Sequence, residues 1–214
     1  MILGDFKTEL RGALKVGTSL DDRLDSFIRR AVRWIEQNHT LQYMRRRLTV
    51  QSVAGDLTIG LPANVPIKAI EYLRFETAAG TRIECEKGEL SDPEIEWTIV
   101  DRYSAWPSQT MNPSHFYLDG VETLVFNRVW QESLPGVGTI ARYSDFPKLD
   151  NQTHWLLRHA EGLLLRQSMI EALLDRRDSR AAESYVAKRE EDIRALMNAD
   201  FQARYAGQDL SGGL

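Results

Sequence analysis

Cysteine is nearly absent from this 214-residue chain. Cys85 stands alone, which excludes an internal disulfide and a multi-cysteine metal site, so stability must come from burial or assembly. Long apolar runs are missing as well. Nothing approaches the ~20 residues of a membrane span, and the first residues, Met1 to Asp5, lack a basic start ahead of an apolar stretch, giving the expectation of a chain made and kept in a cytosol, with no membrane partner. Lysine is scarce: of 27 basic residues, 21 are arginine and 6 lysine. Arginine's rigid fork loses less freedom per contact and suits interfaces, although a GC-rich genome gives the same bias. The net charge, −4, is too small and of the wrong sign for a chain that binds nucleic acid over its whole surface. With 43% apolar and 27% charged residues, disorder, collagen and coiled coil are ruled out.

Charge is uneven along the chain. Residues 1–50 carry +4, residues 51–150 carry −7 and residues 151–214 carry −1. The start is basic and the middle acidic.

Apolar spacing sets out the elements. Leu3, Phe6, Leu10 and Leu14 predict a short helix stopped by Gly17. Ser19 with Asp21 and Asp22 predicts the cap of a second helix, with Leu20, Leu24, Phe27, Ile28, Ala31 and Ile35 inward and Arg23, Asp25, Arg29, Arg30, Arg33 and Glu36 largely opposite. From Tyr43 the period becomes two. Strands are expected at Met44–Val53, Leu57–Leu61, Ile67–Phe75, Thr81–Glu86 and Thr139–Tyr143, with a hairpin of Phe116–Leu118 and Val121–Phe126 around Asp119-Gly120. Asp92-Pro93-Glu94 offers a helix start for Ile95, Ile99 and Tyr103. Past Pro147, Asn151 is the expected cap of a broadly apolar helix running through Leu174. Asp175 to Asp178 breaks it, and a second long helix runs through Tyr185, Ile193, Leu196, Met197 and Phe201 to Tyr205. The expected fold is α+β, with N-terminal helices and a long C-terminal helical hairpin forming a helical bundle, and a mostly antiparallel β-strand insertion between them. Residues 1–207 form one domain on this reading, helical over 1–42 and 147–207 and β-rich over 43–146. Residues 208–214 form a flexible tail.

Catalytic patterns do not emerge. His39, His115, His154 and His159 are scattered and no HExxH unites any pair. Gly136-Val137-Gly138 lacks the rest of a phosphate loop and reads as a bend before a strand. No GxSxG elbow exists, and the adjacency of Ser114 and His115 does not arrange a triad. Glu84 and Glu86 flank Cys85 and would raise its thiol pKa, the reverse of what reactivity needs. Six acids between Glu84 and Glu96 read as a solvated or partner-facing edge.

Two features remain. Arg45, Arg46 and Arg47 open the first strand, where they could bind phosphate, guard an exposed edge, or pair with the acidic stretch containing Glu84, Glu86, Glu94 and Glu96 of a neighbouring subunit, the reading preferred here. The segment after Tyr205 carries Leu210 and Leu214, which could dock as an extended strand or in a groove.

The order of parts carries a resemblance. A capped N-terminal helix, Leu61-Pro62 leading to a strand at Ile67–Phe75, and a strand ending at Arg142-Tyr143 precede Trp155-Leu156-Leu157. An Ala- and Leu-rich helix from Ala160 to Leu174, a break at Asp175–Arg180 and a close at Ala203-Arg204-Tyr205-Ala206-Gly207 follow. Over roughly Ser19 to Gly207 this resembles the head-to-tail adaptor, or connector, proteins of tailed bacteriophages. Asn151 lies four residues before Trp155, farther than the family's usual Asn-x-Trp spacing.

The resemblance implies a virion protein at the head-tail junction, made in the host cytoplasm. It implies a dodecameric ring beneath the portal that extends the DNA channel and presents the tail-attachment surface. Its partners would be copies of itself, the portal, tail or nozzle proteins, and genomic DNA passing without sequence-specific binding. Neither catalysis nor a cofactor is implied. The C-terminal tail, with Arg204 and Tyr205, would order on the portal. Two rivals stand beside it: a DNA-binding protein acting through Arg29, Arg30, Arg33 and Arg45 to Arg47, and a small hydrolase using the acids of Glu84 to Glu96 or His115.

Overall fold

A computed structural model of the chain describes residues 1–15, 20–61, 67–89, 91–92, 94–95, 112–120 and 122–205. These hold five helices and seven strands. The chain divides into two compact units, one drawn from Met1–Tyr43 and Asp145–Leu214, the other from Met44–Ser144.

The helical unit comprises α1 (Leu3–Leu14), α2 (Asp21–Asn38), α3 (Trp155–His159), α4 (Glu161–Asp175) and α5 (Ser179–Tyr205). In α1, Leu3, Phe6, Leu10 and Leu14 recur every three or four residues and all are buried. Its first N–H groups have no partner within the helix. Those of Leu3 and Gly4 donate to the carbonyls of Gln152 and Asp150, each at 2.9 Å, and Lys7 Nζ bridges Asp25 (2.8 Å) and Asp150 (2.6 Å). The helix ends as Lys15 turns left-handed, two residues before the expected Gly17, which lies outside the described residues, as does Ser19. α2 buries Leu24, Phe27, Ile28, Ala31, Val32 and Ile35. It also buries Glu36, which spacing had placed on the solvent side.

The start of α3 is capped by His154, not by Asn151. His154 Nδ1 accepts the Leu156 N–H at 3.3 Å, and the ring is packed against Phe146 and Trp155. Burial pulls its pKa down to about 4, so the imidazole is neutral and able to accept. Ala160, at φ −147°, separates α3 from α4. α4 buries Leu163, Leu164, Gln167, Ser168, Met169, Ile170 and Ala172, positions that encircle the helix. Leu174, expected on its apolar side, is 51% exposed. Between α4 and α5, the Asp178 N–H donates to the Leu173 carbonyl and the Arg177 N–H to the Leu174 carbonyl, each at 2.9 Å. This is the hydrogen-bond pattern that usually closes a helix on a left-handed glycine. Here Arg177 takes that conformation, at φ 60°. Replacing Arg177 with glycine relieves the clash of its Cβ with the backbone and is expected to raise the unfolding free energy by about 0.5–1 kcal/mol in a urea titration. A lowered midpoint would show that the arginine side chain contributes more than its backbone costs.

The second unit is a seven-stranded sheet of β1 (Arg45–Gln51), β2 (Thr58–Gly60), β3 (Ile67–Glu76), β4 (Arg82–Lys87), β5 (His115–Asp119), β6 (Thr123–Phe126) and β7 (Pro135–Arg142). Their order is β1-β7-β3-β4-β5-β6-β2. Alternation sends Leu48, Val50, Ile70, Leu73, Phe75, Phe116, Leu124, Phe126 and Ile140 into one core. Trp130 completes it, its ring centroid 4.1 Å from that of Phe75 and 5.1 Å from that of Phe126. Ser52 pins the loop before β7: its buried hydroxyl accepts the Leu134 N–H at 2.8 Å. Gly136-Val137-Gly138 lies within β7 rather than forming a bend, because the strand needs both glycines. A Cβ on Gly136 would stand 2.5 Å from the Phe75 ring, and one on Gly138 would stand 2.4 Å from the Tyr72 carbonyl oxygen.

The architecture therefore corrects the expected one while remaining α+β. The sheet is mixed, because β4 and β5 run parallel through Glu86–His115 and Lys87–Phe116. Instead of one long C-terminal hairpin there are three helices, α3, α4 and α5, of 5, 15 and 27 residues, broken at Ala160 and Arg177. The Asp119-Gly120 hairpin forms, but Asp119 pairs with Thr123, so its loop spans three residues instead of two. The expected helix from Asp92 to Tyr103 and the Leu61-Pro62 and Val65-Pro66 breaks fall largely outside the described residues.

Candidate assembly surfaces

β1 lies at one end of the sheet and, among the described residues, pairs only with β7. Its three opening arginines have different surroundings. Arg45 grips Glu71 of its own chain through both prongs, Nε to Oε2 at 2.6 Å and Nη2 to Oε1 at 2.8 Å. Arg46 folds back so that Nη1 donates to the Arg45 carbonyl at 2.6 Å. Arg47 is exposed. A bidentate fork of this kind is among the stronger surface pairs, so Arg45 is committed within its own chain.

Glu84 and Glu86 stand exposed on β4 while Cys85 between them faces the core. Burial, not the flanking acids, pushes the Cys85 thiol up to about 12, and its Sγ lies 3.5 Å from the Pro113 carbonyl oxygen. In register, Glu84 sits across from Arg74 and Glu76 across from Arg82. Glu86 lies opposite His115 instead, and Glu94 is exposed farther along. Glu96 lies outside the described residues.

Ser114 Oγ lies 2.9 Å from His115 Nδ1, yet the pair belongs to a strand-end network. Buried Asn127 accepts the N–H groups of Ser114 and His115 through Oδ1, each at 3.1 Å, and donates to Ser114 Oγ at 3.3 Å. These bonds satisfy the opening of β5.

In the helical unit, α2's arginines are partly spoken for. Arg23 reaches Asp175 at 2.5 Å, Arg30 reaches Glu171 at 3.5 Å, and the Arg29 guanidinium lies 5.9 Å from the Phe146 ring centroid. Arg33 is exposed. Of the six arginines that would carry DNA binding, Arg30 and Arg45 are thus held by carboxylates of their own chain. Toward the end of α5, Met197 and Phe201 are 50% and 59% exposed, while Asp200 turns inward and accepts the Gln42 N–H at 2.5 Å. Arg204 and Tyr205 lie in the last turn of α5, and Leu210 and Leu214 fall outside the described residues. Spacing missed one surface: exposed Leu174, Arg176, Arg177 and Arg180 around the turn between α4 and α5. Its signal is the missing glycine after α4, where Asp175 to Asp178 by composition reads only as a polar break.

Among the described residues no three His, Cys, Asp or Glu side chains gather as metal ligands, and no helix is long and apolar enough to cross a membrane. A strand at the end of the sheet, the exposed carboxylates Glu84 and Glu86 of β4 and an exposed helical turn are surfaces of the sort an assembly component offers to other proteins. Residues 1–210 match the family model described as SU10 adaptor protein, and the chain belongs to that family of phage head-to-tail adaptors. No curated protein matches it. Its role is structural, as a virion component at the junction of head and tail.

Proposed function

We propose that copies of this chain close into a dodecameric ring beneath the portal, extending the DNA channel and presenting the surface to which tail or nozzle proteins attach. The family match over residues 1–210 carries this reading. The place of β1 at the end of the sheet, where among the described residues it pairs with β7 on one side, supports it together with exposed Arg47, because a strand at a sheet's end is a common site of subunit contact. A ring closes when each copy meets the next through two different surfaces. The acidic middle of the chain either seals such contacts or lines the channel, where negative walls repel phosphate and let DNA slide. The end of α5 at Arg204 and Tyr205, with the segment through Leu210 to Leu214, contacts the portal and gives each copy a reach to the neighbouring protein.

Co-sedimentation of the full chain with portal tests this. A stable complex is expected, weakened by about tenfold or more when Gln208–Leu214 is deleted. Equal affinity without the tail would remove the tail from the contact. Absence of any complex would contradict the reading as a whole.

A further inference from the structure

We infer that the turn between α4 and α5 is a contact made by one copy of this chain on the exposed acids Glu86, in β4, and Glu94, beyond it, in the next. This deepens the ring reading above and rests on it.

The turn carries positive charge that its surroundings leave unbalanced. Arg176, Arg177 and Arg180 are exposed, and among the described residues none of their guanidinium groups meets a carboxylate. The two acids beside them are already engaged. Asp175 holds Arg23 at 2.5 Å with Arg30 at 3.7 Å, and Asp178 Oδ1 accepts the Ala181 N–H at 3.1 Å. Leu174 stands 51% exposed next to them. Arg177 also keeps a left-handed backbone that glycine would adopt at lower cost, and such strain is retained where the side chain has work to do.

The chemistry favours a protein over DNA. A phosphate backbone gains nothing from Leu174, whereas guanidinium groups around an apolar side chain fit the desolvated centre of a protein interface. The complementary surface is on the chain itself. Glu84 and Glu76 have Arg74 and Arg82 across the strand, but Glu86 and Glu94 lie beyond those pairs and are exposed. The arginine triplet on β1 answers that charge less well, because Arg45 is clamped to Glu71 and Arg46 is folded onto its neighbour's carbonyl.

The test uses full-length variants, assembled alone and on portal, with rings counted by electron microscopy and association followed by sedimentation. Arg177→Gly is expected to melt at a higher temperature than the unaltered chain and yet to assemble about tenfold more weakly, a combination that misfolding cannot produce. Arg176→Glu with Arg180→Glu should abolish rings, Glu86→Arg with Glu94→Arg should do the same, and the four changes together should restore them. If the unaltered chain forms rings and the turn variants form them equally well, the contact is wrong and the ring reading stands. If the turn variants keep their rings and lose only a salt-sensitive affinity for duplex DNA, the turn is a phosphate site and the inference is overturned. If the unaltered chain forms no ring even on portal, the ring reading itself fails and this contact fails with it.

Discussion

Gly138→Ala is expected to destabilise the sheet by about 3 kcal/mol or more, a large part of the ~5–15 kcal/mol that holds an ordinary domain together. β7 is hydrogen-bonded on both sides, with Gly138 between Leu48 of β1 and Leu73 of β3. β3 slips register between Ile70 and Tyr72, and its Tyr72 carbonyl oxygen lies where a methyl group on Gly138 would stand, 2.4 Å away. A flexible side chain could swing aside, but a carbonyl inside a paired strand moves only if the ladder moves. The comparison is Gly60→Ala in β2, where nothing lies within 4 Å of the added carbon and the change should stay within about 0.5 kcal/mol. Urea titrations of both variants decide the matter. Equal midpoints would mean that β7 tolerates a side chain at 138 and that the close approach does not constrain the fold.

The second large effect is a loss of stability in mild acid, centred on His154. Its imidazole ordinarily titrates at 6.5 and in the fold at about 4, because burial disfavours the charged ring. Between these values the unfolded chain binds a proton that the folded chain refuses. The contribution is complete above about pH 6.5, is lost progressively as pH falls, and levels off below about pH 4, for a total near 3 kcal/mol. Protonation also turns Nδ1 from an acceptor of the Leu156 N–H into a donor facing it, at the positively polarised start of α3. Asparagine caps a helix without titrating, so His154→Asn should flatten this part of the curve. Unfolding free energies measured from pH 4 to 7 for both proteins should diverge in that window. Parallel curves would show that His154 does not limit stability in acid.

How much of this could be read from residues alone depends on how local the cause is. α1 and α2 were legible because Leu3, Phe6 and Leu10, and then Leu24, Phe27, Ile28 and Ala31, repeat at helical spacing and each buries what it promises. The Asp119-Gly120 turn was legible because φ 64° at Gly120 suits glycine. What failed was long-range or competitive. Nothing in the residues of β4 and β5 says that they lie side by side and parallel, since periodicity reports a strand's faces and not its neighbours. The break falls at Ala160 itself, while the nearest glycine, Gly162, lies inside the first turn of α4 and so does not mark it. Asn151 is the better cap by propensity, yet His154 takes the position, while the carbonyls of Asp150 and Gln152 beside Asn151 close the start of α1. Gly136 and Gly138 looked like a bend because their reason, Phe75 and Tyr72 pressing from the adjacent strand, lies some sixty residues away in sequence.

Among the candidate surfaces, the acidic stretch was legible as composition, and Glu84, Glu86 and Glu94 are indeed exposed. The state of Arg45 was not, because its partner Glu71 belongs to a strand that is not its direct neighbour. The turn at Arg176 to Arg180 was also hidden, since Asp175 to Asp178 reads only as a polar break between two helices.

The central claim is that this chain works by being covered, by copies of itself and by the portal, as a structural adaptor. Electron microscopy of the purified full chain mixed with portal tests it most directly. The expected result is a closed ring of this protein stacked coaxially on the portal, leaving an open channel. Portal particles bare of added density, beside a chain that stays monomeric at every concentration, would contradict it.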